Sequence, residues 1–373
     1  MKYFIIAGEK SGDLHGSNLI RGLIAADPDA EIVCWGGENM EAAGGKLLMH
    51  YKRLAFMGFV TVALNLRAIF RNMRTCRTQI TEFAPDVLIL IDFPGFNLRM
   101  AQFAKTLNLK VFYYISPKFW AWNESRVKKV KKFVDRMFII FPFEVEFYRK
   151  HGIEVQYFGN PLVDEIEKWK KLNADGLPGG ETPAGDSSPL IVLLAGSRKH
   201  EVEHILPQMV KASEKFPGYR FVLAGVGTIP SGLYSRIIGN HNIEVVYDRT
   251  YELFSRAEAA LVKSGTSTLE AALLGVPQVV CYSGDLISMV IAWAVIRVKY
   301  ISLVNLIMDR ETVKELLQYE NNPSRIAEEL RKILKGGSSR EDILNGYREL
   351  KAKLGPEGAS QRVAAEIVRQ IKI

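Results

Sequence analysis

The chain has 373 residues, 48% of them hydrophobic and 24% charged, and a formal net charge of +8 from 49 Lys and Arg against 41 Asp and Glu. This length favours two domains, and the composition is typical of a soluble globular protein. The basic excess favours an anionic partner, such as a phosphorylated substrate or an anionic membrane surface, whereas the sequence has no motif for binding nucleic acid.

The cysteines and the apolar stretches indicate the compartment. Cys34, Cys76 and Cys281 lie far apart and form no CxxC pair, which favours buried thiols in a reducing compartment. No apolar stretch approaches the ~20 residues that span a bilayer, and the first residues predict a strand rather than a signal peptide. We therefore expect a cytoplasmic protein.

Short apolar runs, separated by helical patterns, predict buried parallel strands in the first half of the chain. The runs are YFIIA (3–7), EIVCWG (31–36), DVLILID (86–92), KVFYYIS (110–116), RMFIIF (136–141) and VQYFG (155–159). The helical patterns cover 13–26, 66–82, 97–107, 125–133 and 143–151. A Gly- and Pro-rich stretch at 171–189 then predicts a linker or a solvated loop.

The alternation of strands and helices restarts at LIVLLAG and becomes helical from about residue 311. The second set of predicted strands covers 190–196, 219–225, 243–248, 259–264 and 277–282. We predict an α/β protein with two doubly wound, Rossmann-like parallel sheets, in domains 1–170 and 190–338, and C-terminal helices at 339–373 that can pack back on the first domain. Ligands of such sheets bind at the carboxyl ends of the strands, so we expect an active site in a cleft that both domains face.

The stretch VKSGTSTLEAALLGVPQVV (262–280) predicts a strand, a tight turn and a helix. The turn consists of Ser264, Gly265, Thr266 and Ser267. Unpaired backbone N–H groups, hydroxyls and the positive end of the helix dipole meet at such a turn and favour an anion. Glu270, one helical turn later, is placed to accept hydrogen bonds from a ribose. An ordinary N-cap explains the same residues equally well.

A second predicted strand–turn–helix lies in LLAGSRKHEVEHI (193–205), with Arg198 just past the strand end. A guanidinium there can hold a diphosphate with two parallel hydrogen bonds and stabilise it as a leaving group. A surface arginine is the alternative, but the second anion-binding turn in the same half of the chain favours the functional interpretation.

Two motifs imitate metal sites. HEVEH (200–204) matches the zinc-protease pattern H-E-x-x-H, but zinc catalysis needs a third ligand and the other histidines offer no spaced partner. DPD (27–29) imitates the D-x-D of metal-dependent sugar transferases, and a turn at the amino end of the sheet explains it. We predict no metal.

Two acids follow strands of the first domain. LILIDFPGFNLR (88–99) places Asp92 after a buried strand, where an ionised carboxylate is costly unless it is paired or useful. We interpret Asp92 as a general base for a hydroxyl group, with a structural cap as the alternative. Glu9, in AGEKSGD, follows the first strand, and we expect both acids in one cleft. Asn97 and Asp13 are interpreted as caps of the following helices.

Aromatic and basic residues follow another strand, in SPKFWAWNESRVKKVKKF (116–133). The aromatic rings can form a flat wall for a sugar face or an acyl chain, and the cations can meet a phosphate or a bilayer surface. A solvated helix with a core tryptophan explains them equally well. Arginines also recur on one side of a helix in 56–80, which either packs on the sheet or enters a membrane interface.

Seven motifs taken together resemble the lipid-A-disaccharide synthase family, in order and across nearly the whole chain. They are AGEKSGD (7–13), FMGFVTV (56–62), IDFPGFN (91–97), SPKFWAW (116–122), GSRKHEVE (196–203), SGTSTLE (264–270) and YISLVNLI (300–307). Two positions depart from the family: Asn160 stands where histidine is usual, and Val304 replaces a common proline.

The resemblance implies the two-domain GT-B fold and an inverting, metal-independent glycosyltransferase without a cofactor. The implied reaction transfers 2,3-diacylglucosamine from UDP to the 6-hydroxyl of 2,3-diacylglucosamine 1-phosphate (lipid X) and yields a β-1,6 disaccharide. The implied location is the cytoplasmic face of the inner membrane, bound peripherally through basic and apolar patches. The sequence leaves open whether the protein is a homodimer.

The resemblance also implies roles for single residues. Asp92 would be the catalytic base and Glu9 a second essential acid. The UDP-sugar donor would be bound by Arg198, Ser264, Gly265, Thr266, Ser267, Glu270, Asn305 and Glu315. The acceptor side would include Ser11, Trp120, Trp122 and Arg126.

Three other functions stay open at this point. A UDP-sugar 2-epimerase would share the GT-B architecture but would not use a lipid acceptor. A zinc hydrolase would be built on HEVEH (200–204). A non-enzymatic protein that binds a membrane surface would use the basic patches and would turn over no UDP-sugar.

Overall fold

The computed structural model divides into two units, Met1–Asp164 with Gly355–Ile373 and Glu165–Leu354. It describes residues 1–54, 66–122, 124–173, 188–284 and 299–372, and only the backbone of Leu66, Ala121 and Trp122. The motif FMGFVTV (56–62), residues 174–187 of the predicted linker and the side chain of Trp122 lie outside the described residues.

The first unit contains a parallel seven-stranded sheet in the order β3-β2-β1-β4-β5-β6-β7. Its strands are β1 (Lys2–Ala7), β2 (Glu31–Gly36), β3 (Lys46–His50), β4 (Val87–Ile91), β5 (Lys110–Tyr114), β6 (Arg136–Ile139) and β7 (Gln156–Tyr157). The helices up to the second unit are α1 (Lys10–Ala26), α2 (Glu38–Ala42), α3 (Leu66–Phe83), α4 (Pro94–Thr106), α5 (Phe119–Trp122), α6 (Val127–Phe133), α7 (Phe143–Lys150) and α8 (Pro161–Leu172). The central strand β4 is buried along its whole length, as expected for a sheet covered on both faces.

The second unit contains a parallel six-stranded sheet in the order β10-β9-β8-β11-β12-β13. Its strands are β8 (Leu190–Leu194), β9 (Arg220–Gly225), β10 (Ile243–Tyr247), β11 (Ala257–Lys263), β12 (Gln278–Tyr282) and β13 (Lys314–Leu317). The remaining helices are α9 (Lys199–Ser213), α10 (Ser231–Ile238), α11 (Thr250–Arg256), α12 (Thr266–Leu273), α13 (Leu303–Met308), α14 (Pro323–Ile333), α15 (Arg340–Leu354) and α16 (Ala359–Lys372).

The predicted fold class of two parallel α/β sheets with a helical C-terminal tail is confirmed. Two strands were not predicted from the sequence, however. One is β3. The other is β13, which pairs with β12 through Val280 and Glu315, so the prediction that the chain is helical from about residue 311 is wrong. The sequence KELL of β13 favours a helix by intrinsic propensity, and pairing within the sheet overrides that preference.

The C-terminal helices are divided between the units. Helix α15 lies in the second unit, whereas α16 lies in the first and packs along α1. Asp164 fixes the start of α16 by accepting the backbone N–H of Gly358 at 2.7 Å. Gly22 of α1 allows a close approach, because a Cβ at this position would lie 2.8 Å from the Cβ of Ala364.

Asn160, the departure from the resembled family, has a defined role at the start of α8. Its amide Nδ2 donates to the carbonyl of Ile140 at 2.9 Å, and its Oδ1 accepts the N–H of Leu162 at 2.9 Å. Its side chain is therefore satisfied by backbone groups on both sides, as is usual for a residue that caps a helix.

Candidate active site

In each sheet the strand order reverses between two neighbouring strands. Predicted site residues lie just after both strands of each pair. In the first sheet, Glu9 follows β1 and Asp92 follows β4, and these strands are neighbours. In the second sheet, Arg198 follows β8 and Ser264 follows β11, which are also neighbours. Ligands of doubly wound sheets bind at this reversal, so each sheet offers one half-site at its usual binding edge.

Asp92 is a partly buried carboxylate whose environment suits a general base. Burial raises the pKa of Asp92 to about 6, the negative charge of Glu9 adds to this effect, and Lys118 and the backbone N–H of Phe93 oppose it. A base with a pKa close to the working pH is most effective at taking a proton from a hydroxyl group. The electrostatic effect of Glu9 on Asp92 shows that the two acids lie near each other, and their place in one cleft stays a prediction.

The turn that carries Asp92 has a strained backbone. Asp92 and Phe93 have φ angles of 43° and 50°, a left-handed conformation that is unfavourable for residues with a side chain. The buried amide of Asn97 donates to the carbonyls of Ile91 and Asp92 at 3.1 and 2.8 Å. The hydroxyl of Tyr113 donates to the Asp92 carbonyl at 2.5 Å. These bonds hold the strained turn in place.

Gly8 is required because the Phe93 ring lies on it. A Cβ at Gly8 would lie 2.3 Å from the ring of Phe93. Glu9 follows immediately and serves as the N-cap position of α1, in an extended conformation. The contact between Gly8 and Phe93 therefore ties the turn that carries one acid to the turn that carries the other.

Two of the predicted caps are wrong. Asp13 lies within the first turn of α1, and its carboxylate accepts the N–H groups of Gly37 at 2.7 Å and Met40 at 3.0 Å, so it caps α2. Asn97 lies inside α4, which begins at Pro94. Proline is favourable at the first position of a helix, because an N–H group there would have no partner within the helix. Asn97 binds the end of β4 instead.

The predicted acceptor-side residues have different surroundings. Ser11 is exposed in the first turn of α1, and Arg126 is partly exposed just before α6. Trp120 is only 9% exposed, and its ring meets Phe143 edge-on at 4.9 Å. Trp120 is therefore a packed residue beneath the surface, and the prediction that it forms an open aromatic wall is wrong.

Arg198 occupies the N-cap position of α9, and its side chain is 59% exposed. The turn beneath it is held by Glu201, whose Oε2 accepts the N–H groups of Ser197 and Arg198 at 3.0 and 3.3 Å. Its Oε1 lies 2.8 Å from Nζ of Lys263 at the end of β11. Burial alone would raise the pKa of Glu201, but the bonds from Lys263 and Ser197 lower it.

Glu201 therefore links the two turns of the second half-site, and neither Glu201 nor Lys263 was predicted as a site residue. Glu201 lies three residues after Arg198, which is the spacing of a capping box. This spacing could have predicted that Glu201 contacts the turn. Nothing local pointed to Lys263, because the pair joins α9, which follows β8, to the end of the neighbouring strand β11. The same contact explains HEVEH: its first glutamate is an ion-pair partner. Among the described residues no group of His, Cys, Asp and Glu is arranged to hold a metal ion.

The turn at Ser264 opens α12 as predicted, but its hydroxyls are used unequally. The buried Ser264 donates to the carbonyl of Ile301 at 2.8 Å and so supports the turn. Thr266 is exposed and Ser267 partly exposed at the first helical positions. Burial raises the pKa of Glu270, while hydrogen bonds from Tyr251 and Ser267 oppose the rise. Tyr251 donates to Glu270 at 3.0 Å and orients it.

Asn305 and Glu315 are buried and satisfied by the protein itself. Asn305 donates to Glu315 at 2.8 Å, and its Oδ1 accepts the N–H groups of Thr312 and Val313 at 2.8 and 3.0 Å. Glu315 accepts the N–H groups of Ile301 and Ser302 at 2.9 and 3.0 Å. Their arrangement fixes the segment that Ser264 contacts.

Comparisons with known proteins agree with this architecture. A family model described as lipid-A-disaccharide synthetase matches residues 3–369. A lipid-A-disaccharide synthase of Myxococcus xanthus is 36% identical over 373 residues, covering 98% of this chain and 97% of the relative.

Solved structures share the fold at low identity. The S. aureus MnaA–UDP co-structure has a TM-score of 0.73 at 13% identity, covering 100% of this chain and 97% of that one. CalG4, the calicheamicin glycosyltransferase, has a TM-score of 0.60 at 14% identity, covering 99% and 97%. At such identities these structures show the fold alone.

Proposed function

This chain belongs to the lipid-A-disaccharide synthetase family of glycosyltransferases, and on that premise we propose the reaction that it catalyses and the residues that perform it. It transfers 2,3-diacylglucosamine from UDP-2,3-diacylglucosamine to the 6-hydroxyl of lipid X. The products are a β-1,6-linked disaccharide and UDP, and the anomeric centre is inverted.

In this proposal the first half-site binds the acceptor and activates it. Asp92 takes the proton of the 6-hydroxyl, and the oxygen attacks the anomeric carbon from the face opposite UDP. Glu9 contacts the acceptor beside it and keeps the pKa of Asp92 raised. The observation that carries the proposal is this pair of acids at the reversal point of the first sheet, where burial raises the pKa of Asp92 to about 6.

The second half-site binds the donor and stabilises the departing UDP. Arg198 and the N–H groups at the start of α12 offer positive charge to the diphosphate, as a metal ion does in other transferases. Glu270 accepts from the ribose hydroxyls. The side chains of Asn305 and Glu315 form hydrogen bonds with each other and with nearby backbone groups. In this proposal they therefore support the donor site by fixing its backbone and do not bind the donor directly.

A membrane surface is the proposed location, because the acceptor and donor both carry acyl chains. No helix of the described ranges is long and apolar enough to cross a bilayer. Helix α3 exposes 64% of Phe70 beside the exposed Arg67, Arg71 and Arg74, a pattern that suits the interface of an anionic leaflet. We place the protein peripherally on the inner face of the inner membrane. A homodimer stays a prediction, which analytical ultracentrifugation tests.

The test is a disaccharide-forming assay with UDP-2,3-diacylglucosamine and lipid X in excess EDTA. We expect disaccharide and UDP in equal amounts, at a rate that EDTA does not change. Conversion of the UDP-sugar to an epimer without transfer to lipid X would contradict the proposal and favour an epimerase.

A further inference from the structure

Glu144 is a completely buried carboxylate for which the proposed reaction has no use. It lies in the first turn of α7 and is 0% exposed. Its Oε2 accepts the backbone N–H of Phe141 at 3.1 Å, and its Oε1 accepts the indole N–H of Trp120 at 3.2 Å. Burying a carboxylate is costly, and these hydrogen bonds reduce the cost.

Through these contacts α7 fastens the segment 115–120, which follows β5. Trp120 is held by Glu144 at one end of the segment. At the other end, the hydroxyl of Ser116 lies 2.5 Å from that of Tyr148, which also belongs to α7. Helix α7 therefore holds both ends of the segment, through Glu144 at Trp120 and through Tyr148 at Ser116.

The same segment contacts the turn of Asp92 on its other side. The backbone N–H of Asp92 donates to the carbonyl of Ile115 at 3.2 Å. Lys118, in the middle of the segment, is exposed, and its positive charge opposes the rise in the pKa of Asp92. The position of this segment therefore affects how readily Asp92 ionises.

We propose that Glu144 is a positioning residue, which holds the segment 115–120 through Trp120 so that Lys118 faces the Asp92 carboxylate. The inference rests on the proposed role of Asp92 as the base. The charged or titratable groups that face Asp92 are Glu9, Lys118 and Tyr113, and those that face Glu144 are Tyr148 and Tyr157.

Burial raises the pKa of both carboxyl groups, and that of Glu144 lies above that of Asp92, so Glu144 keeps its proton over the pH range in which Asp92 ionises. Burial raises the pKa of Glu144 to about 8, although the hydrogen bonds from Phe141 and Trp120 oppose this. Burial raises that of Asp92 to about 6. Activity that needs ionised Asp92 is lost as the pH falls through this lower value, and this acidic limb of kcat/KM reports Asp92.

The experiment measures the midpoint of the acidic limb in Glu144→Gln. Each of the two donors, Phe141 and Trp120, binds a different carboxyl oxygen of Glu144, whereas glutamine replaces one of these oxygens by an NH2 group that can only donate, so one contact is lost and the segment loosens. We expect the midpoint to rise by about half a pH unit, which lowers kcat/KM about threefold below the midpoint. Glu146→Gln is the matched control, because Glu146 lies on the same helix, is exposed and pairs with Arg149; its midpoint should not move.

Lys118→Met decides whether the effect passes through Lys118. This variant should raise the midpoint by itself, and adding Glu144→Gln to it should cause no further rise. A further rise in the double variant would overturn the proposal. So would a Glu144→Gln enzyme with a lower melting temperature and an unchanged midpoint, because that result assigns Glu144 a structural role alone.

Trp120→Phe tests the other partner of the hydrogen bond if Glu144→Gln does not fold. It removes the indole N–H and keeps an aromatic ring, and it should raise the midpoint as well. A midpoint that stays in place in Trp120→Phe would overturn the proposal. If the proposed base were wrong, Asp92→Asn would remain active, an outcome distinct from each of these.

Discussion

In the first sheet the neighbouring strands β1 and β4 are followed by two acids, Glu9 and Asp92. In the second sheet two cations, Arg198 and Lys263, lie near the ends of the neighbouring strands β8 and β11. Both sheets have the same order of their first six strands, counted from β1 and from β8. The topology therefore determines where each half-site lies, and the residues just past the strand ends give the first an acidic and the second a basic character, which is the basis of the roles proposed for them.

The half-sites also differ in how their turns are held. The Asp92 turn has a strained backbone, and Asn97 and Tyr113 bind its carbonyl groups. In the second half-site Glu201 binds N–H groups of one turn and the ammonium group of the other. The acid pair should therefore be sensitive to crowding, and the cationic turns to the loss of one acceptor.

Asp92→Asn should have the largest effect, because it removes the proposed base and keeps the shape of the side chain. We expect kcat to fall about 10³-fold, as is typical for the loss of a general base. UDP affinity, measured by calorimetry, should stay unchanged, since the donor half-site belongs to the other sheet. A variant with near-normal turnover would exclude Asp92 as the base.

Arg198→Ala should have the second largest effect and should act on the donor. Removal of a charge that stabilises a leaving group costs about 10²-fold in kcat/KM. The affinity for UDP should fall as well, in contrast to Asp92→Asn. Arg236→Ala is the control, because this exposed arginine pairs with Glu203 outside the proposed site, and it should leave kcat/KM unchanged.

Gly8→Ala should destabilise the acid half-site, and Gly265→Ala should leave the cationic one stable. A Cβ at Gly8 would lie 2.3 Å from Phe93, whereas one at Gly265 has no atom within 4 Å. Overpacking of this kind costs about 1–3 kcal/mol, and an unhindered change costs about 0.5 kcal/mol or less. Denaturant unfolding checks both values, and equal losses of stability would show that the Phe93 contact does not determine the choice of glycine.

The sequence analysis could predict the strands, their direction and the residues at their ends, because these depend on local apolar runs and on the glycines and acids that follow them. It could not predict β13, whose helix-favouring residues pair with β12, and it could not decide between an open wall and a core position for Trp120, which is buried. Nor could it predict the bond between Glu201 and Lys263, which requires β8 and β11 to be neighbours. Contacts between residues far apart in the chain leave no local pattern.

Glu201→Gln tests this long-range contact and should have the smallest effect on catalysis. Glutamine cannot accept the N–H groups of the Arg198 turn and hold Lys263 at once, so Arg198 is positioned less well. Losing a hydrogen bond between charged groups costs about 1.5–3 kcal/mol, and part of this cost should appear as an about tenfold lower kcat/KM. UDP affinity should change little. Loss of the negative charge of Glu201 favours binding of the diphosphate, and this gain offsets the affinity lost because the turn is looser.

Glu203→Gln is the matched control for Glu201→Gln within HEVEH. Glu203 lies on the same helix but is partly exposed and pairs with Lys199 and Arg236. Exposed ion pairs contribute about 0–1 kcal/mol, so this variant should keep the wild-type kcat/KM. If the two variants lose activity equally, the link from Glu201 to Lys263 has no special part in the donor site, and the second half-site does not depend on a single acceptor.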